Sequence, residues 1–223
     1  MKRGLNRRAV ASGGPAMMVL SGLMLLAAHA FAAAPLGLRP GSRLWLEGNS
    51  TLHAFESTAT VMTVLLAADE GGTDGSWGAV VRSGRVRSFD LAIPVRGMKS
   101  GKAGLDKNLY ESLGAAKHPD ILFRLARYQV EESTASGTGL TVKAFGTLTV
   151  AGVERDVEID GEVEPGAGGM IIHGRKELLM TDFGVKPPTM MLGVVKTDNR
   201  IVIRFDLVLG RESDAGSNER SRP

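Results

Sequence analysis

Near its C-terminus the chain sets Ile201, Ile203, Phe205, Leu207 and Leu209 against Arg200, Arg204 and Asp206 in a period of two. Successive side chains of a strand point to opposite faces, so this pattern specifies a strand with one buried and one wet face. The same alternation recurs along the chain, and that recurrence is the tightest limit on what it can fold into. Arg85 to Val95 places Phe89, Leu91, Ile93 and Val95 on one face and Asp90 on the other. Pro94 there marks an edge or a strand end, because proline has no N–H for a ladder. Ile121, Phe123 and Leu125 alternate with Leu122, Arg124 and Ala126. With Arg43 to Glu47, His53 to Leu66, Leu140 to Val150, Val153 to Val163 and Met170 to Met180, the strand candidates number about eight.

Their connections are short. Ala151-Gly152 leaves room only for a tight hairpin turn, and Pro165 to Gly169 is a second turn. Asp69 to Ser76 is a turn-rich loop. Gly146, inside a strand candidate, signals a bend or a close approach. One segment departs from the period of two: between Gly104 and Ala116, Leu105, Leu109 and Leu113 recur every four residues, which predicts a helix that His118-Pro119 stops. Its leucine face packs on the sheet or covers an open barrel end. Strands joined this way make an antiparallel meander, and eight is the number at which a closed barrel just holds a small ligand. The expected class is all-β.

The N-terminus reads differently. Lys2 to Arg8 is basic, Ala16 to Leu26 is apolar, and Ala28 to Ala34 is rich in small residues, with A-x-A cleavage patterns at Ala30-Phe31-Ala32 and Ala32-Ala33-Ala34. That order is the export signal pattern, so residues 1–34 are expected to be removed and the exported domain to span 35–210. An uncleaved anchor needs ~20 mainly apolar residues, whereas Ser21, Gly22, His29, Pro35 and Gly37 interrupt this run. Lys2, Arg3, Arg7 and Arg8 also account for the net positive charge: without them 23 Lys and Arg face 24 Asp and Glu. No basic stripe survives, so nucleic acid is not an expected partner. The chain has no cysteine, which excludes disulfides and thiolate chemistry. Residues 211–223 are polar and expected to be disordered.

A membrane-spanning barrel also alternates, but it needs aromatic girdles, and the chain has two Trp and two Tyr. Arg87, Arg124, Lys143, Arg155, Arg175 and Arg204 lie within strands, and a lipid-facing Arg or Lys costs ~2–4 kcal/mol at mid-bilayer. Catalytic patterns are equally thin. His53, His118 and His173 are not spaced as metal pairs, and no H-E-x-x-H, P-loop or G-x-S-x-G pattern occurs. His53 either bonds a ligand's polar head at a barrel mouth or is a buried histidine capping local backbone. His118 reads as a helix-end residue and His173 as an ordinary strand position. Met190 and Met191, in a loop-like segment, suit an adaptable apolar pocket or simple core filling.

Five short elements then occur in one order: Ser50-Thr51-Leu52-His53-Ala54-Phe55; Phe89 to Val95; Leu105-Asp106-Lys107-Asn108 leading to His118-Pro119-Asp120-Ile121-Leu122-Phe123; Phe145 to Val153; and Thr181-Asp182-Phe183-Gly184-Val185. In this order and spacing the chain, from about Leu44 to Leu209, resembles the YceI family of bacterial, usually periplasmic proteins. The resemblance implies an extended, lipocalin-like, eight-stranded antiparallel barrel with one short helix. It implies as ligand a polyisoprenoid, quinone or other long amphiphilic lipid, and no cofactor, metal or agreed enzymatic activity. The Lys186 to Gly193 segment is longer and more apolar than in the commonest members.

An inward apolar face that leaves the lumen unfilled accepts an apolar chain, at ~0.8 kcal/mol per buried CH₂. The expected ligand-binding residues are His53, Phe55, Phe89, Leu91, Leu109, Leu113, Phe123, Leu148, Phe183, Met190 and Phe205. The expected partners are such a lipid and, transiently, a membrane, with the protein a monomer or homodimer. Two other readings stand beside this one: a filled barrel serving as an interaction module, and a hydrolase or isomerase using His53.

Overall fold

A computed structural model describes residues 36–69, 77–132, 139–166, 169–190 and 194–211. The expected export signal at 1–34 and, apart from Arg211, the tail expected to be disordered fall outside the described residues. The strands are β1 (Gly37–Leu38), β2 (Arg43–Ser50), β3 (Ala54–Ala59), β4 (Thr63–Ala68), β5 (Val86–Pro94), β6 (Met98–Lys99), β7 (Asp120–Glu132), β8 (Leu140–Val150), β9 (Val153–Gly166), β10 (Gly169–Leu179), β11 (Thr189–Met190) and β12 (Val195–Gly210). They form one antiparallel sheet in the order β4-β5-β7-β8-β9-β10-β12-β2-β3-β6, with β1 and β11 paired to β12 beside that path. The sheet curls into a half-barrel, and the helix α2 (Ala103–Ser112) lies against it.

The sheet has twelve strands rather than eight. Three of the additions, β1, β6 and β11, are two-residue strands too short to show a period. The fourth comes from the His53 to Leu66 run, which is two strands and not one. Its first half, β3, pairs with β2 and β6, while its second half, β4, pairs with β5. The run has to turn a corner to reach both. The corner is pinned at Thr60, whose N–H and hydroxyl both donate to the Gly97 carbonyl, at 2.9 and 2.7 Å. The segment expected as an apolar loop at Lys186 to Gly193 contains β11, whose Thr189 and Met190 pair with Lys196 and Val195.

Elsewhere the periods hold. Ala151 and Gly152 both take positive φ, 51° and 77°, the backbone a two-residue hairpin turn requires. Gly152 has a second reason to lack a side chain, since a Cβ there would run into the His118 ring. A second helix, α1 (Trp77–Arg82), has no forecast in the sequence. It packs Trp77, Val80 and Val81 into a core with Leu36, Leu140, Met170, Leu207 and Leu209, and so closes one end of the half-barrel. At the other end α2 packs Leu113 with Val95, Phe183 and Val185.

Four of the six strand cations anticipated above stand on the outer face in ion pairs: Arg124 with Asp90 at 3.1 Å, Lys143 with Glu158 at 3.6 Å, Arg204 with Glu47 at 2.9 Å, and Arg87 with Asp69. This face is wet, which is the physical reason the lumen, not the outside, takes the apolar residues. No helix among the described residues is long and apolar enough to cross a membrane.

Candidate functional site

Between the closed end and α2 runs a cavity of about 290 Å³, at the lower edge of the usual ~300–1,000 Å³ for small-molecule sites. Its walls follow from strand parity. Met170, Ile172, Lys176 and Leu178 of β10 face it, opposite Leu207 and Ile203 of β12, Leu46 of β2 and Ser57 of β3. Burial falls along β10 from Met170, which is buried, to Lys176 and Leu178, which are half-buried. The cavity therefore deepens toward α1 and opens toward α2.

The structure brings ten of the eleven expected residues to this one cavity: His53, Phe55, Phe89, Leu91, Leu109, Leu113, Phe123, Leu148, Phe183 and Phe205. Met190 lies in β11, but its side chain is outside the described residues. Phe89 and Phe123 meet edge to face with ring centroids 6.2 Å apart. Such pairs fix each other's orientation and favour this geometry over a flat stack. Leu109 and Leu113 enter from α2, with Leu105, Asn108 and Ser112 beside them.

Polar groups are few and gather toward the open end. Ser50 closes the turn between β2 and β3: its hydroxyl donates to the His53 carbonyl at 2.9 Å and accepts from the His53 N–H at 3.3 Å. The backbone of His53 is thus satisfied by Ser50, and its side chain is exposed while still lining the cavity. That placement corrects the buried-cap alternative. His118 ends the α2 segment, with its N–H donating to Gly114 at 2.9 Å. His173 faces outward and pairs with Asp206 at 2.6 Å, away from the lumen.

At the deep end the Tyr128 hydroxyl donates to the Val81 carbonyl at 3.0 Å and accepts from the Val86 N–H at 3.3 Å, tying α1 to the wall. Burial pushes this phenol up, against the opposing pull of the Val86 N–H. No described lining residue is a carboxylate, and no described group of His, Asp and Glu has the geometry of a metal site.

Sequence reasoning missed part of this wall. Leu46, Ile203 and Ile172 were legible as inward positions of their strands but were not singled out. Lys176 was legible too: it shares the parity of Met170, Ile172 and Leu178, a lone cation in an apolar register. The signal was the period of two, carried one position further.

Residues 50–209 match the YceI-like domain family. No curated protein sequence matches the chain. Among solved structures it is similar to a polyisoprenoid-binding domain from Saccharophagus degradans implicated in plant cell wall breakdown, with TM-score 0.57 and 11% identity over 80% of this chain and 99% of that one. It is also similar to BcnA of Burkholderia cenocepacia, with TM-score 0.55 and 16% identity over 75% and 95% of the two chains. A third similarity is to the Campylobacter jejuni YceI protein, with TM-score 0.52 and 18% identity over 68% and 82%. At these identities the likeness is one of fold. With the family match spanning most of the half-barrel, the chain belongs to the YceI-like domain family.

Proposed function

We propose that this protein carries or stores a long amphiphilic lipid, such as a polyisoprenoid or quinone, in the lumen of its half-barrel, and catalyses no reaction. The observation that carries the reading is the cavity itself: closed by α1, open beside α2, and walled by aliphatic and phenylalanine side chains. Burying a lipid tail there gains ~0.8 kcal/mol per CH₂ and needs no reactive group. The polyisoprenoid-binding neighbour from Saccharophagus degradans supports the ligand class. A void of about 290 Å³ favours a carrier over a filled interaction module. His53 has no carboxylate beside it among the described lining residues, which favours a carrier over a hydrolase or isomerase.

The N-terminal basic, apolar and small-residue segments support export and action in the bacterial envelope. Transient contact with a membrane fits the open end. Leu52 and Val194 are 64% and 72% exposed there, on loops joined by the Thr51 hydroxyl donating to the Val194 carbonyl at 3.3 Å. Two exposed aliphatic residues beside a lipid entrance offer it an apolar landing.

The test is native mass spectrometry of the protein purified from a bacterial envelope, followed by organic extraction. A stoichiometric adduct that extracts as an isoprenoid or quinone is the expected result. A clean apo mass, with no uptake when such lipids are supplied, sinks the reading.

A further inference from the structure

The near-neutral total of the domain conceals a segregation of charge. Residues 96–117 hold Arg96, Lys99, Lys102, Lys107 and Lys117 against Asp106 and Glu111. Asp106 is buried and bonded to Ser100, while the five cations are exposed. On β9 the balance is reversed. Glu154, Asp156, Glu158, Asp160, Glu162 and Glu164 take every second position of that strand, and all six are exposed. β9 and β10 stay paired only as far as Asp160 and Arg175 and part above them, so the first three of these acids have no β10 neighbour. Among the described residues only Glu158 of the six is in an ion pair, with Lys143 at 3.6 Å.

The cations form one surface around α2. On one side of the helix Leu105, Leu109 and Leu113 line the open end of the cavity. The other side, with Lys107 and Tyr110, borders a groove shared with Arg96, Lys99 and Lys117. Tyr110 holds two of these charges in place. Lys99 donates to its hydroxyl at 2.8 Å, and Arg96 and Lys99 stand 5.6 and 5.2 Å from its ring centroid. The hydroxyl in turn donates to the Met98 carbonyl at 2.8 Å, which anchors the ring to β6. Of the five cations only Lys107 has a carboxylate within ion-pair distance among the described residues, Glu111 at 3.8 Å. Like charges gathered on one face raise the potential above it and draw an anionic partner toward it. Val61, 56% exposed, lies against Gly97 beside Arg96 and adds an aliphatic side chain to the same surface.

We infer that the cationic face of α2 docks the protein on an anionic phospholipid bilayer, with the open end of the cavity beside the membrane and the acidic wall of β9 held off it. The inference rests on the carrier reading, which requires a lipid to pass between a membrane and the lumen, and adds the charge of that membrane and the residues that meet it. The five charges are spread over an exposed face and do not converge on a pocket for one ion, which suits an extended anionic surface. Lys and Arg draw such a surface from a Debye length away, and aliphatic and tyrosine side chains then fit its interface. The β9 acids are repelled by the same surface, so one field both attracts the protein and orients it.

The test is cosedimentation of the protein, purified from a bacterial envelope, with sucrose-loaded vesicles of phosphatidylcholine alone or of phosphatidylcholine mixed with phosphatidylglycerol. Wild type is expected to bind the anionic vesicles about a hundredfold more tightly than the zwitterionic ones in ~50 mM NaCl, and to lose most of that preference in ~300 mM NaCl. Lys102 and Lys117 make no side-chain bond among the described residues, and Lys107 only its exposed pair with Glu111. The variant K102Q/K107Q/K117Q therefore keeps its fold and is expected to lose about fivefold in affinity per lysine. R87Q/K143Q/R204Q removes the same number of cations from the outer face of the sheet and is expected to stay within about threefold of wild type. Equal binding to both kinds of vesicle, or equal losses in the two triple variants, overturns the docking assignment. Where the vesicle preference is missing, tight binding of a polyglutamate peptide assigns the face to an acidic protein. A salt-sensitive dimer that the lysine variant abolishes assigns it instead to the β9 acids of a second copy. The carrier reading is judged separately, by the lipid adduct of the purified protein, and stands or falls without the vesicles.

Discussion

A Cβ on Gly174 would collide with the ring of Phe205, its direct cross-strand partner, and come within 2.9 Å of the Asp160 carbonyl. Gly48 stands in the same relation to Phe55, and Gly146 to Phe123 and the Arg124 carbonyl. Three of the lumen phenylalanines thus lie over glycines of neighbouring strands, and this is how large rings fit without filling the cavity. Gly174→Ala is expected to cost about 1–3 kcal/mol in urea unfolding, because both the ring and the backbone must shift. Full stability of this variant would show that Phe205 does not rest on the glycine.

Asp106 supplies a second case at this scale. It is buried, and Oδ1 accepts from the Ser100 hydroxyl at 2.6 Å and the Ser100 N–H at 2.7 Å, which hold its carboxyl below the usual range. A depressed carboxylate stabilises the fold above its unfolded pKa of ~3.9 and loses that contribution as pH falls through its folded value. Asp106→Ala is expected to cost about 1–3 kcal/mol at pH 7. The gap to wild type in urea titrations should narrow below about pH 4. A gap that stays constant down to pH 2.5 would count against the charged bond. The aspartate was visible in the sequence, but its partner six residues earlier was not, because only the chain's return at the start of α2 brings them together.

Among the elements, α2 shows what periodicity reads well. Leucines every four residues placed a helix with one apolar face, and that face does meet the sheet and the cavity. Leu113, 8% exposed, is its anchor against Val95, Phe183 and Val185. Leu113→Ala is expected to lower stability by ~2–5 kcal/mol, measured by urea unfolding. A cost below 1 kcal/mol would mean that α2 rests loosely on the rim. α1 shows the converse. Its six residues make under two turns, too few for a period to emerge, and its buried Trp77 has meaning only against β9 and β10. The β3/β4 corner was also hidden: Thr60, Val61 and Met62 are ordinary strand residues, and only pairing with β2 on one side and β5 on the other forces the bend.

For the whole molecule, the decisive property is that the lumen stays partly empty. Ala144 faces it between its cross-strand neighbours Tyr128 and Ile159. Ala144→Trp is expected to occupy the void, abolish lipid uptake in native mass spectrometry, and leave the unfolding temperature equal or higher. Undiminished uptake would place the ligand elsewhere.

The sequence by itself determined the all-β class, the positions of the long strands, the Ala151-Gly152 turn and the α2 helix, because each is written in local spacing of two or four residues. It also determined which residues share a face, since parity is local; that this face is the lumenal one was decided by the fold, which brings ten of the eleven expected lining residues to one cavity. Tertiary structure alone decided how strongly the sheet curves, that α1 closes one end, that β9 and β10 part above Asp160, and that a void remains. These depend on which strands meet across long separations and on how side-chain volumes sum inside a closed wall, and neither quantity has a local period to read.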